Sequence, residues 1–317
     1  MPSIFPDGDL DDAVELGSID DRSVRVWVRM ANRPSITATL ETANQLAVTR
    51  TFELSEDTDW TGVLVLELEQ PAPAEPFSVH VGGQRLGGYF APELGSQAAL
   101  TFGFGSCHMP YAEGEDGQVV VREDDAAIYP AIRDDLRRAG GQLLLLAGDQ
   151  IYSDELPPIS VRRASTGDDG TPPPVEELLR RYRRNYRGFF NQTGIRAMRE
   201  TFPTLCIWDD HDIYDNWGST AEKSPADLNL FAAASRAYSE YQHARNPDGD
   251  AVSPPFHWIQ RWGDIAIVAL DLRGARDYES GTMAGAEQWE WLRSWLAGEE
   301  ARNVSTLFVM SSVPVTH

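Results

Sequence analysis

The chain has 317 residues, 42% hydrophobic and 10% aromatic, enough for two cores and too apolar for pervasive disorder. Its formal charge is −22, and all 27 basic residues except Lys223 are arginine. A field of that sign opposes a DNA or RNA partner, which needs a basic footprint, so any anionic ligand must meet local positive charge from placed arginines or metal ions.

The N-terminal stretch MPSIFPDGDLDDAVELGSIDD has neither a basic region nor an apolar one, so it does not read as a secretory signal. A cytoplasmic location is the expectation unless a leader was removed. No run approaches the ~20 apolar residues of a membrane span. Residues 1–98 read as a small antiparallel β-sandwich domain. Ser23–Arg29 alternates apolar with polar, and Ser35–Leu40, Thr49–Leu54, Gly62–Leu68 and Phe77–Val81 follow at sandwich spacing with Pro, Gly and Asp between them. His80 there reads as a solvated strand residue.

From residue 99 to 317 the texture changes to α/β. Leu143–Ala147 and Ile265–Leu270 are continuously apolar, as strands buried on both faces are. Helical patterns lie between such runs at 124–138, 175–190, 226–245 and 286–298, and strand and helix alternate as in a layered α/β domain. The loop Ser165–Pro174 reads as exposed. The arginines at 180, 181, 183, 184 and 187 read as a solvated helix face. Two cysteines, Cys107 and Cys206, do not make a disulfide framework.

Chemistry collects where the buried runs end. Leu100–Phe104 leads into Gly105-Ser106-Cys107-His108, and Leu143–Ala147 into Gly148-Asp149-Gln150-Ile151-Tyr152. Leu205–Trp208 leads into Asp209-Asp210-His211-Asp212 with Asp215 and Asn216, and Ile265–Leu270 into Asp271, Arg273 and Arg276. The carboxyl ends of a mostly parallel sheet line one crevice, so these groups should converge. Asp carboxylates with an imidazole suit divalent and trivalent cations. A lone Asp would read as a cap, but four Asp, one His and one Asn within eight positions favour a metal site. Cys107 fits a thiolate ligand or a small buried hydrophobe. Asp149 fits a ligand or a cap, and Tyr152 adds a phenol that suits trivalent iron. Arg273 and Arg276 fit a phosphate clamp or surface pairs. Phe102-Gly103-Phe104-Gly105 lacks the Lys-Ser/Thr of a nucleotide loop, and His243 and His257 read as structural.

Phe104–Cys107, Gly148–Tyr152, Trp208–Asp212 with Asp215-Asn216, Leu270–Arg273, Gln288–Leu292 and Ser311–Val315, in this order, resemble the alkaline phosphatase D (PhoD-like) family of calcineurin-like metallophosphoesterases. The resemblance implies a layered metallophosphoesterase-like sheet core with flanking helices behind a small sandwich. It also implies a dinuclear centre of iron plus calcium, or zinc or manganese as in the wider superfamily. Cys107 and Tyr152 would bind the iron-like ion, Asp149 would bridge, and Asp210 would stand where the superfamily has Asn. His211 would be the catalytic histidine, with Asp212 orienting it, and a metal-bound hydroxide would attack phosphorus. Family members carry a further Gly-Asp-x-His motif beyond the strand ending at Val315. The expectation is therefore an incomplete site with weak metal retention and little turnover. A degenerate, non-catalytic metal binder is the alternative; a calcium sensor is disfavoured, because no contiguous EF-hand loop is present.

Overall fold

The alternation at Ser23–Arg29 forms a strand, but both of its faces are covered. In the computed structural model, which describes residues 3–44, 47–163, 171–219 and 223–314, seven strands form two antiparallel sheets. β1 (Asp12–Ile19), β2 (Ser23–Met30) and β5 (Thr61–Glu67) make the first. β3 (Ser35–Thr42), β4 (Ala47–Glu53), β6 (Pro76–Val81) and β7 (Gln84–Tyr89) make the second, in the order β4-β3-β6-β7. Val24, Val26 and Val28 pack between the sheets with Leu40, Leu64 and Val79. Trp27 points the other way, into the core of the following α/β body, and its Nε1 donates to the Glu240 carbonyl at 2.8 Å.

That second face carries buried charge. Glu15 accepts from Arg199 Nε at 3.0 Å and from Arg245 Nη1, and all three side chains are out of solvent. Arg29 meets Asp59 at 3.2 Å. The arginine cluster at 180–187 is drawn in as well. Arg183 pairs with Glu240 at 2.6 Å and Arg187 with Asp59 at 2.6 Å, so the solvated-face reading fails for both. Their acidic partners come from distant elements, which helical spacing does not reveal. Removing one partner of such a set strands the others in low dielectric. Glu15→Gln is therefore expected to cost ~3–5 kcal/mol in denaturant unfolding, whereas Arg33→Ala, at an exposed pair with Asp12, should cost less than ~1. Equal losses would refute the distinction.

The α/β body begins with β8 (Phe102–Gly105), a hairpin of β9 (Tyr111–Glu113) and β10 (Val119–Val121), and the helices α1 (Glu123–Ala126) and α2 (Ile128–Arg138). Then come β11 (Leu143–Ala147), α3 (Val175–Asn191), α4 (Thr193–Arg199), β12 (Thr204–Ile207) and α5 (Pro225–Tyr241). β13 (Trp258–Trp262), β14 (Ile265–Ala269), α6 (Gly285–Ala297), α7 (Glu299–Arg302) and β15 (Thr306–Met310) follow. The order β12-β11-β8 is fully parallel, with Leu145 beside Phe104 on one side and Leu205 on the other. β14 is not a fourth strand of that sheet, as a single crevice would require. It sits in a second one, antiparallel to β13 and parallel to β15.

Period-two alternation explains why β11 and β12 read as unbroken apolar runs. Leu143, Leu145, Ala147, Leu205 and Ile207 face a core shared with Ile267 and Ala269 of the second sheet and with α3 and α5. Leu144, Leu146 and Cys206 face the other way, onto Tyr129, Leu136, Ile195 and Met198 of α2 and α4. Most of the expected 165–174 loop lies outside the described residues, as does Val315. Among the described residues no helix is long and apolar enough to cross a membrane.

Candidate metal centre

Glycine sets the entrance to the site. Gly148, directly after β11, has φ +91°, and a Cβ there would lie 2.4 Å from Asp209 Cβ and 2.9 Å from Asp209 N. Only glycine lets the ends of β11 and β12 approach this closely. Asp149, Cys107 and Asn216 also have positive φ, at 54°, 56° and 61°. Left-handed backbone costs a non-glycine residue roughly 1–3 kcal/mol, and such strain gathers at functional sites.

Those turns bring the expected donors together. Cys107 Sγ donates to Asp149 Oδ2 at 3.1 Å, and the His211 backbone N donates to Asp149 Oδ1 at 3.2 Å. Donor atoms of Asp149, Asp210 and His211 lie within 4.8 Å of one another. The Tyr152 ring lies on the His211 ring, centroids 4.3 Å apart and planes 30° apart. β8, β11 and β12 thus supply Cys107, Asp149, Tyr152, Asp210 and His211 to one place. The second sheet reaches it through Arg273, which follows β14 and donates to Asp209.

Two assigned roles do not fit the geometry. Asp212 was expected to orient His211, but its carboxylate points into the protein. It accepts from the backbone N of Asp149 at 2.9 Å, of Asp209 at 3.0 Å, and from Gln242 Nε2 at 2.9 Å. A fully buried carboxylate satisfied by backbone N–H groups ties two loops together; it cannot also serve the imidazole. Asp154 takes that task, its Oδ1 standing 2.8 Å from His211 Nδ1 while its Oδ2 accepts from Asp215 N at 2.5 Å. Arg273 was expected to clamp substrate, but it is buried and committed to Asp209, to the Trp217 carbonyl at 3.2 Å, and to Asp210 at 3.4 Å. Arg276 is half-buried; burial and then the charge of Arg273 lower its guanidinium, against the opposing pull of Asp209 and Asp210. His243 packs on Tyr238 and Phe256 in the core.

Asp154 was missed although it stands two residues after Tyr152; it belongs to no recognisable motif. Asp209 and Ser312 were missed as a pair. Ser312 Oγ donates to Asp209 Oδ1 at 3.0 Å, a contact between residues 103 positions apart that only the folded chain creates.

Electrostatics fit a cation. Burial, then the Asp209 charge, pushes Asp149 up to about 6. Burial, then Asp149, pushes Asp212 up to about 8. Burial raises the Cys107 thiol to about 11, with Asp149 adding to it, and raises the Tyr152 phenol further. Each shift reflects burial first and neighbouring acidic groups second, and a bound cation would oppose both. Burial alone would lower the His211 imidazole; the bond and charge of Asp154, with Asp149 and Asp210, carry it to about 9. The Asp154→Asn variant keeps an acceptor but loses that charge. Expected are a 10–100-fold lower rate and an alkaline limb of the pH–rate profile moved to lower pH. A rate loss without that movement would make Asp154 merely structural.

A layered α/β fold thus gathers carboxylates, a thiol and an imidazole at strand ends, a donor set of the kind that suits a cation. Residues 123–316 match the family described as PhoD-like phosphatase, and the chain belongs to that family. The match takes in Asp149, Tyr152, Asp210 and His211 but begins after Cys107. Alkaline phosphatase D of Bacillus subtilis (strain 168) is 23% identical, over 88% of this chain and 52% of its own length. A solved structure described as "Structure of PhoD" superposes with a TM-score of 0.65 at 18% identity, covering 93% of this chain and 60% of its own. The chain thus spans about half the length of the curated relative.

Proposed function

We propose that this chain hydrolyses phosphate mono- or diesters with metal ions held by Cys107, Asp149, Tyr152 and Asp210. The observation that carries this reading is the convergence of Asp149, Asp210 and His211 donor atoms within 4.8 Å, with Cys107 Sγ 3.1 Å from Asp149. Thiolate and phenolate beside carboxylates suit iron with calcium, and zinc or manganese are the alternatives. When bound, the cations supply Lewis acidity and bring the pKa of water toward neutrality. The other steps fall to side chains. Because Asp154 is an acceptor, His211 Nδ1 carries a proton toward it, which leaves Nε2 to protonate the departing alcohol. Tyr152 fixes the plane of that ring. Arg276, rather than Arg273, offers a cation for phosphate oxygens. Residues 1–98 act as a supporting sandwich domain, anchored through Glu15, and residues 99–317 hold the site. The similarity to Alkaline phosphatase D supports the reaction class.

Elemental analysis of the purified chain, beside hydrolysis of mono- and bis-4-nitrophenyl phosphate with and without chelator, tests this. Metal-dependent nitrophenol release is expected. Bound metal with no turnover under any cation would replace this reading with that of a degenerate, non-catalytic metal binder.

A further inference from the structure

A cavity of about 470 Å³ opens beside Cys107, between β8, β11 and α2. Much of its wall is apolar: Phe104 from β8, Leu144 and Leu146 from β11, Ile128 and Ile132 from α2, and Met198 from α4. Phe104 is 60% exposed, Ile128 54% and Ile132 37%. Isolated exposed apolar side chains need no explanation, but these three turn toward one hollow. Ile128 and Ile132 are four residues apart, so they share one face of α2. The volume falls within the roughly 300–1,000 Å³ of ligand pockets, which are apolar with a few fixed polar groups. Here the polar lining comes from Ser106, His108, Arg122, Asp124 and Asp125.

The cavity adjoins the candidate metal centre at one residue, Cys107, which lines the first and bonds Asp149 in the second. Cys107 lies on the Oδ2 side of Asp149 and residue 211 on the Oδ1 side. We propose that this hollow is a subsite for an aryl-sized apolar group on the retained, non-leaving side of a phosphodiester, the departing alcohol lying toward His211. This rests on the hydrolase reading above and narrows it to diesters with one apolar substituent.

Two diesters with the same leaving group test it: 2-naphthyl 4-nitrophenyl phosphate and methyl 4-nitrophenyl phosphate. The wild-type chain is expected to favour the naphthyl ester in kcat/KM by tenfold or more, in line with the ~10–200-fold that apolar pocket contacts give. Ile132→Trp, which fills the cavity, should erase that preference while changing the methyl ester by less than about twofold. Ile128→Glu, at a half-exposed wall position, should do the same without overpacking. An equal loss on both esters, or no preference in the wild type, overturns the proposal. A second readout does not need turnover: saturation-transfer NMR with 2-naphthol should show contact that both variants abolish. If 2-naphthol binds but neither diester is cleaved, the apolar site stands and the hydrolase reading falls. If neither ester preference nor 2-naphthol contact is seen in an active enzyme, the subsite falls alone.

Discussion

Replacing His211 with alanine is expected to slow ester hydrolysis ~10²–10⁴-fold and to leave the bound metal per chain unchanged. The second half of that outcome separates two roles. His211 shares a cluster with Asp149 and Asp210 that could make it a ligand. Its Nδ1 is committed at 2.8 Å to Asp154, a carboxylate outside the proposed ligand set whose charge favours the protonated ring with or without a cation; this leaves Nε2 as the proton donor. Leaving-group chemistry sharpens the test. 4-Nitrophenolate departs readily and needs little protonation, so the loss should lie at the low end; an alkyl ester needs the proton, so its loss should lie at the high end. Metal content falling with activity, and equal losses for both leaving groups, would make His211 a ligand instead.

The site was legible to the extent that its groups follow continuous apolar strands. Leu143–Ala147 and Leu205–Trp208 gave away β11 and β12, and so the places of Asp149, Asp210 and His211. What could not be read depends on partners distant in sequence. Arg273 has the right position for a phosphate clamp, yet nothing in Leu270–Arg273 says that Asp209 waits beside it. Asp212 sits next to His211 in the chain, but the 3-10 turn at Asp210–Asp212 sends neighbouring side chains in different directions. β1 escaped notice because Glu15 interrupts its apolar pattern, and that carboxylate is buried only because Arg199 and Arg245 arrive from beyond residue 190. The two-sheet arrangement of the α/β body was hidden in the same way: β14 is as apolar as β11, and pattern alone does not say which neighbour a strand takes.

The chelator-treated chain should lose stability as pH rises from about 6.5 to about 9. Asp212 and His211 set this sign, and Asp149 adds to it only below about pH 6. Asp149 and Asp212 are carboxyls whose folded-state values, about 6 and about 8, stand above their ordinary 3.8. The folded chain therefore holds protons that the unfolded chain has released, and stability falls as pH climbs through each interval. His211, raised from 6.5 to about 9, favours the folded state below 6.5 and loses that contribution as pH rises through 9, so it acts in the same direction. His211 alone corresponds to roughly 3.5 kcal/mol across its interval, at ~1.4 kcal/mol per pKa unit. Glu15 and Asp59, whose values are lowered, and the buried histidines His108 and His243, both lowered to about 3, with His257 also lowered, act oppositely but only below about pH 6.5, outside this window. A divalent cation replaces the missing protons, and it competes with them at low pH. Added metal should thus raise Tm by several degrees at pH 8.5 and hardly at all at pH 5, and Asp149→Asn should shrink both the pH slope and the metal effect. Calorimetry of the stripped and reloaded chain checks this. A Tm that is flat or rises from pH 6.5 to 8.5 without metal, or a metal-induced shift of equal size at pH 5 and 8.5, would show that these carboxylates are not held together against their own repulsion.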